Sequence, residues 1–231
     1  MKRFYIISSS IFQKIIWLIF RPLLIIFTRI EIEGLDNLKN VDRTNGVIFA
    51  PNHSSELDAF ILATSLPLFS RFIPIYYVTR GKKFYNENII RRLFYGGILF
   101  SMIGGQPVGE GLNDYNKSLS NHINLLKSGK NVCIFPEGGI TKDGQLSKPH
   151  GGVSYLAEIT QSTLIPVGIY GVYKLSIIDF FLMKRKIVIK FDVPISYSKF
   201  KRYIKHSRYK ENKYRFFADY LMYRINKLIK L

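Results

Sequence analysis

The sequence predicts an α/β fold: a mostly parallel sheet flanked by helices, preceded by an N-terminal amphipathic helical segment at a membrane interface. Three observations predict it. Short apolar runs of strand type alternate with helical patterns from about residue 30 onward, the order that builds parallel sheets. Two of these runs, 46–51 (GVIFAP) and 131–135 (NVCIF), end in polar loops marked by proline or glycine, the usual place for a site in an open α/β sheet. Ahead of them, residues 4–27 are almost wholly apolar, in a chain whose net charge is +18.

Taken in order, residues 1–29 form the helical segment. Lys14 and Arg21 interrupt the apolar run, Pro22 is expected to kink it, and no uncharged stretch reaches the ~18–20 residues that span a bilayer. Arg3, Ser10, Lys14, Arg21 and Thr28 fall on one helical face, and Ile, Leu, Phe and Trp17 occupy the rest. A narrow polar stripe beside a wide apolar face fits a helix lying in the headgroup boundary, with Trp17 as an interfacial anchor. A signal peptide lacks a small-residue cleavage site here. A helix packed on the domain is the other reading.

Residues 30–231 read as one domain, with no linker, repeat or low-complexity tract. Residues 30–33 alternate like a short edge strand and 46–51 are a buried strand. A helix runs from 58 until Pro67 stops it. Residues 72–79 are a strand in which Pro74 marks a bulge or an edge. Residues 89–100 read as a helix. Leu112, Tyr115, Leu119, Ile123 and Leu126 recur at helical spacing up to Gly129, with His122 expected on the solvent side. Strand 132–135, helix 152–161 and strands 164–170 and 187–191 follow. The last 33 residues carry 11 Lys or Arg against two acids, and predict an amphipathic basic helix. The lone Cys133 lies inside a strand and reads as a small core residue; neither a disulfide framework nor a cysteine metal site can form. The histidines show no metal-ligand spacing. Charge alone implies an anionic partner, either nucleic acid or a membrane surface.

The chemistry concentrates in two loops. His53 stands at a strand-to-helix junction, with Asp58 five residues on and able to reach back. A carboxylate on one imidazole nitrogen fixes the tautomer and makes the other nitrogen the base. Asn52 and Ser54 flank it and either cap the next helix or touch substrate. The second loop is Pro136-Glu137-Gly138-Gly139, where Glu137 binds an acceptor hydroxyl or holds the loop, and the glycines supply a tight turn. There is no Gly-x-Ser-x-Gly elbow, so direct attack by an acceptor hydroxyl is more economical than an acyl-serine intermediate.

Asn52-His53 with Asp58, Phe135-Pro136-Glu137-Gly138 about 80 residues later, and Leu164-Ile165-Pro166-Val167 resemble the 1-acylglycerol-3-phosphate acyltransferase family. The resemblance covers about residues 30–195. It implies transfer of a fatty acyl group from acyl-CoA or acyl carrier protein, a co-substrate rather than a bound cofactor, to a lipid hydroxyl in phospholipid synthesis. It implies His53 as base, Asp58 as its orienter, and acceptor recognition by Glu137 and Gly138. It also implies anionic membrane lipids as partners and a peripheral place on the cytoplasmic face of the cell membrane. The sequence departs from the family where many members continue Gly-Thr-Arg: here Gly139-Ile140 follow, and residues 104–110 also lack an expected arginine. Arg80, Lys148 and His150 are the candidate replacements for the phosphate ligand. Two readings of other classes stand beside this one, a basic nucleic-acid-binding protein and a catalytically silent lipid-binding scaffold.

Overall fold

A computed structural model describes residues 3–42, 44–80, 101–109, 114–205 and 213–230. The helix expected over 89–100 and His206 of the basic tail lie outside the described residues. Seven strands form one sheet: β1 (Glu31–Glu33), β2 (Ile48–Pro51), β3 (Ile75–Thr79), β4 (Gly105–Pro107), β5 (Asn131–Cys133), β6 (Leu164–Tyr170) and β7 (Val188–Phe191). Their spatial order is β1-β7-β6-β2-β5-β3-β4, and every pairing is parallel except β6 with β7. The mostly parallel sheet expected from the sequence is present. Central β2 is buried along its whole length, which is why it reads as an unbroken apolar run rather than an alternating one.

Helices cover both faces. On one lie α1 (Arg3–Thr28), α2 (Asp58–Ser65) and the short α6 (Ile177–Phe181). On the other lie α3 (Tyr115–Ser118), α4 (Ser120–Lys127), α5 (Gly152–Thr160), α7 (Tyr197–Lys205) and α8 (Lys213–Ile229). Successive side chains of a strand point to opposite faces, so Tyr76 packs with Leu126, Leu156 and Phe217 while Ile75 and Tyr77 pack with Ile61, Leu62 and Leu24. Gly168 lets α8 lie close against β6: a Cβ there would come within 2.6 Å of Leu228 Cβ.

Four expectations change. Pro74 is neither at a bulge nor on an edge; β3 starts one residue after it and lies between β5 and β4. The edge strand β4 escaped notice because Gly-Gln-Pro carries no apolar pattern, and Pro107 is tolerated there because an edge can spare a donor. The helix expected from 112 to 126 is two pieces, broken at Leu119. His122 is fully buried, with Nε2 3.2 Å from the Gln106 carbonyl. It stands three residues after Leu119 and four before Leu126, on the apolar face, and burial pushes its pKa down to about 4.

The N-terminal segment is a single helix that continues through Pro22. Its stretch Ile7–Thr28 is long and apolar enough to cross a membrane by length and composition, despite Lys14 and Arg21. Its polar edge is turned toward the domain. The Gln13 amide donates to the Ile75 and Ile103 carbonyls at 2.7 and 2.8 Å and accepts from the Ile75 N–H at 2.9 Å. Half-buried Trp17 is part of this docking edge, donating to the Leu66 carbonyl at 2.8 Å. The opposite edge, Ile7, Ile11, Ile15, Leu18, Ile19, Ile25 and Ile26, is exposed. The basic C-terminal helix α8 buries Phe217, Leu221 and Ile225 on the far face of the sheet, so its cations lie across the sheet from α1.

Candidate active site

Strand β2 delivers His53 to the carboxyl edge of the sheet, and the first turn of α2 returns Asp58 to it. Asp58 is 0 % exposed. Its Oδ2 lies 3.0 Å from His53 Nδ1 and accepts from the backbone N–H groups of Ser54 and Ser55 at 2.6 and 2.8 Å. Neither Asn52 nor Ser54 caps α2; Asp58 itself collects these amides, and Ser55 Oγ accepts from Leu57 N–H at 3.2 Å. An ionised carboxylate only accepts, so the His53 proton sits on Nδ1 and the Nε2 lone pair is left for chemistry. Phe135 stacks on the imidazole with ring centroids 3.8 Å apart, fixing its plane.

Strand β5, the parallel neighbour of β2, brings the second loop alongside. Glu137 is buried and ties loops together: Oε1 accepts from the His53 N–H and Oε2 from the Ser147 N–H, both at 2.7 Å. Burial raises its pKa and these N–H donors oppose the rise. Glu137 thus holds the loop, the second of the two roles open to it. Gly138 has φ +68 and sits against the His150 ring, so a side chain there would be strained and crowded. Arg80, at the end of β3, donates to the Gly138 carbonyl at 3.1 Å.

A cavity of about 780 Å³ lies beside His53, a size usual for small-molecule sites. Its lining comes from both faces of the sheet: Gln13, Ile16, Phe60 and Ala63 on the α1–α2 side, Leu119 and Val153 on the α4–α5 side. His53, Arg80, Gly138 and the phosphate-ligand candidate His150 line it, joined by Glu56 and Tyr115, to which the sequence had assigned no part in the site. Two candidates lie elsewhere. The Asn52 amide is consumed by the backbone of Ile169, donating at 2.8 Å and accepting at 2.7 Å, and so clamps β2 to β6. Lys148 lines a neighbouring recess of about 430 Å³ with Tyr214 and Arg215, which meets the main cavity at Tyr115 and His150. Among the described residues no cluster of His, Cys, Asp or Glu could hold a metal.

The acyltransferase family model matches residues 29–170, well over half of the chain and both loops. The chain belongs to the acyltransferase family. Among curated proteins it is similar to the chloroplastic 1-acyl-sn-glycerol-3-phosphate acyltransferases LPAT1 of Arabidopsis thaliana, 31% identical over 150 residues, and BAT2 of Brassica napus, 27% identical over 150 residues. Each match covers 64% of this chain but only 38% and 39% of those proteins, so the chain spans about two-fifths of their length. Among solved structures it resembles the 1-acyl-sn-glycerophosphate acyltransferase PlsC from Thermotoga maritima, with TM-score 0.61 and 18% identity, over 95% of this chain and 81% of that one. That likeness establishes the shared fold of this acyltransferase: an α/β sheet with an apolar N-terminal helix.

Proposed function

We propose that this acyltransferase moves a fatty acyl group from acyl-CoA or acyl carrier protein to a glycerolipid hydroxyl, by default that of 1-acylglycerol-3-phosphate. The observation that carries the reading is the His53 Nδ1–Asp58 contact of 3.0 Å beside an apolar cavity. His53 Nε2 takes the proton of the acceptor hydroxyl as its oxygen bonds to the thioester carbonyl carbon. The tetrahedral intermediate expels the thiolate, which takes the proton from the imidazolium. The names of the plant relatives and of the Thermotoga protein support the phosphatidate product. Gly138 borders the acceptor, and Arg80 is the guanidinium at the cavity for its phosphate.

One observation favours a second acceptor. Residues 139 and 140 are Gly and Ile, so the loop offers no arginine of its own, and another lysophospholipid or an amino- or glycolipid becomes a candidate. A labelled thioester offered with a panel of lipid acceptors tests both readings. Activity on at least one lysolipid is expected. His53→Ala should lower it by roughly 10²-fold or more, the usual span of a general base. A His53→Ala protein retaining a tenth of the rate would remove the assigned base. Lysophosphatidate outpacing every other acceptor a hundredfold would make Arg80 or Lys148 the phosphate ligand, with the Ala substitution of that residue then raising KM.

A further inference from the structure

The connection between β6 and β7 presents a second apolar surface. In α6 and the turn after it, Ile177 is 77%, Ile178 68%, Phe181 54% and Leu182 60% exposed. Bulky apolar side chains scattered singly are ordinary; four within six residues at one tip are not. The tip is built, not loose. Ser176 caps α6 by accepting from the Asp179 N–H at 3.0 Å, and Lys184 N–H closes the turn on the Asp179 carbonyl. Phe27 of α1 packs on Phe180 and Phe181 with centroids 5.5 and 5.0 Å apart, so the tip continues the outward apolar edge of α1. Cations surround it: Lys174, Lys184, Arg185 and Lys186 stand against the single acid Asp179 between positions 174 and 186. Asp179 pairs with Lys184, and Lys186 with Glu31, so Lys174 and Arg185 carry the local excess, both spending polar contacts on Tyr173.

Position gives the surface its meaning. β6 runs parallel to β2, and Asn52 clamps the two at Ile169, so the chain enters α6 from the edge at which β2 delivers His53. We infer that α6 is a membrane-docking tip whose apolar side chains enter an anionic phospholipid bilayer beside the outward edge of α1. The apolar tip meets the acyl boundary while the flanking cations stay at the headgroups, the arrangement that interfacial segments use. The inference rests on the lipid-acceptor reading, which makes a bilayer the surface the site has to meet.

The test uses the full chain and vesicles of phosphatidylcholine with phosphatidylglycerol. Ile177→Asp/Ile178→Asp alters two solvent-facing side chains away from the cavity. It should weaken vesicle binding by roughly tenfold or more, given how strongly such binding follows buried apolar area. Acyl transfer to a short-chain acceptor dissolved as monomers should be unchanged. In a second measurement, Ile178→Cys labelled with an environment-sensitive dye should be quenched by brominated lipid; buried Cys133 leaves that site the reactive one. Unchanged vesicle affinity, an unquenched dye on bound protein, or a wild type that ignores vesicles each overturns the inference. So does a variant that merely dissociates a dimer, which would make a second copy the occupant. Loss of vesicle binding in a protein that acylates no lipid in the panel would leave the docking tip standing and remove the lipid-acyltransferase reading.

Discussion

Asp58 is asked to do two things with one oxygen: hold the His53 ring and terminate the Ser54 and Ser55 amides. Hydrogen bonds to a charged group are worth roughly 1.5–3 kcal/mol each, and an orphaned buried donor costs a comparable amount. Asp58→Asn removes the charge from all three contacts and turns an amide toward donors in one of its two orientations. The expected outcome is a fall of ~2 kcal/mol or more in urea unfolding, together with a rate loss of at least about 10²-fold from the lost tautomer control. Full stability with a large rate loss would place the amides under other control. A glutamate at 58 should not rescue, because its extra methylene has no room at a fully buried site. The His53–Asp58 pair was legible in the sequence because its geometry is local, five residues across a strand–helix junction. The part played by Asn52 was not, since its partner Ile169 is 117 residues away. Glu137 was half legible. Its place beside His53 follows from two parallel strands ending together, but its choice between binding an acceptor and tying backbones depends on Ser147 and on the depth of burial.

Among the elements, α4 shows how a polar residue misleads. A histidine in a helix reads as solvent-facing until its neighbours Leu119 and Leu126 are counted as one face. Burial depresses its pKa to about 4 from an ordinary 6.5, so the fold excludes the charged form. The unfolded chain then binds the proton first. The stabilising share of neutral His122 is complete above pH 6.5 and is lost as pH falls through the window down to about 4. Between these values it should contribute a slope of up to ~1.4 kcal/mol per pH unit. His122→Asn should be less stable at neutral pH yet flatter over the same window, by thermal or urea unfolding at matched pH values. A slope equal in both proteins would mean that His122 is protonated in the fold. The composition of α1 conveyed its length and apolar character but not its attitude. Gln13, outside the polar stripe read from the sequence, satisfies the backbone of Ile75, because a buried strand-end amide with no other partner is the costlier vacancy.

The whole molecule is lopsided in a way that composition hides. About half of the +18 charge lies in the last 33 residues, yet α8 is on the other face of the sheet from α1. Each helical layer is ~10 Å thick, so the cations of α8 stand well beyond the ~8–10 Å screening length from any bilayer that holds α1. Retention on membranes should therefore depend on the apolar edge: the full chain is expected to stay in the membrane pellet in 1 M salt (an explicit test condition, roughly a 3 Å screening length) and to be released by detergent. Release by salt alone would assign retention to the cations and strip α1 of that task. The alternation of strands and helices was enough to foresee a mostly parallel sheet. The antiparallel turn into β7 and the side on which the basic helix lies are set by packing, which no local pattern encodes.

Gln13 joins α1 to the inside of the sheet through three hydrogen bonds to Ile75 and Ile103, and so leaves little slack between the helix and the strand ends. On the membrane reading, whatever depth the helix takes in lipid is handed on to the His53 nitrogen as a fixed altitude. An acceptor hydroxyl carried too deep or too high then has to travel to the base, since the base cannot travel to it. Lipids that share a headgroup charge would be sorted by how far their glycerol can rise from the leaflet.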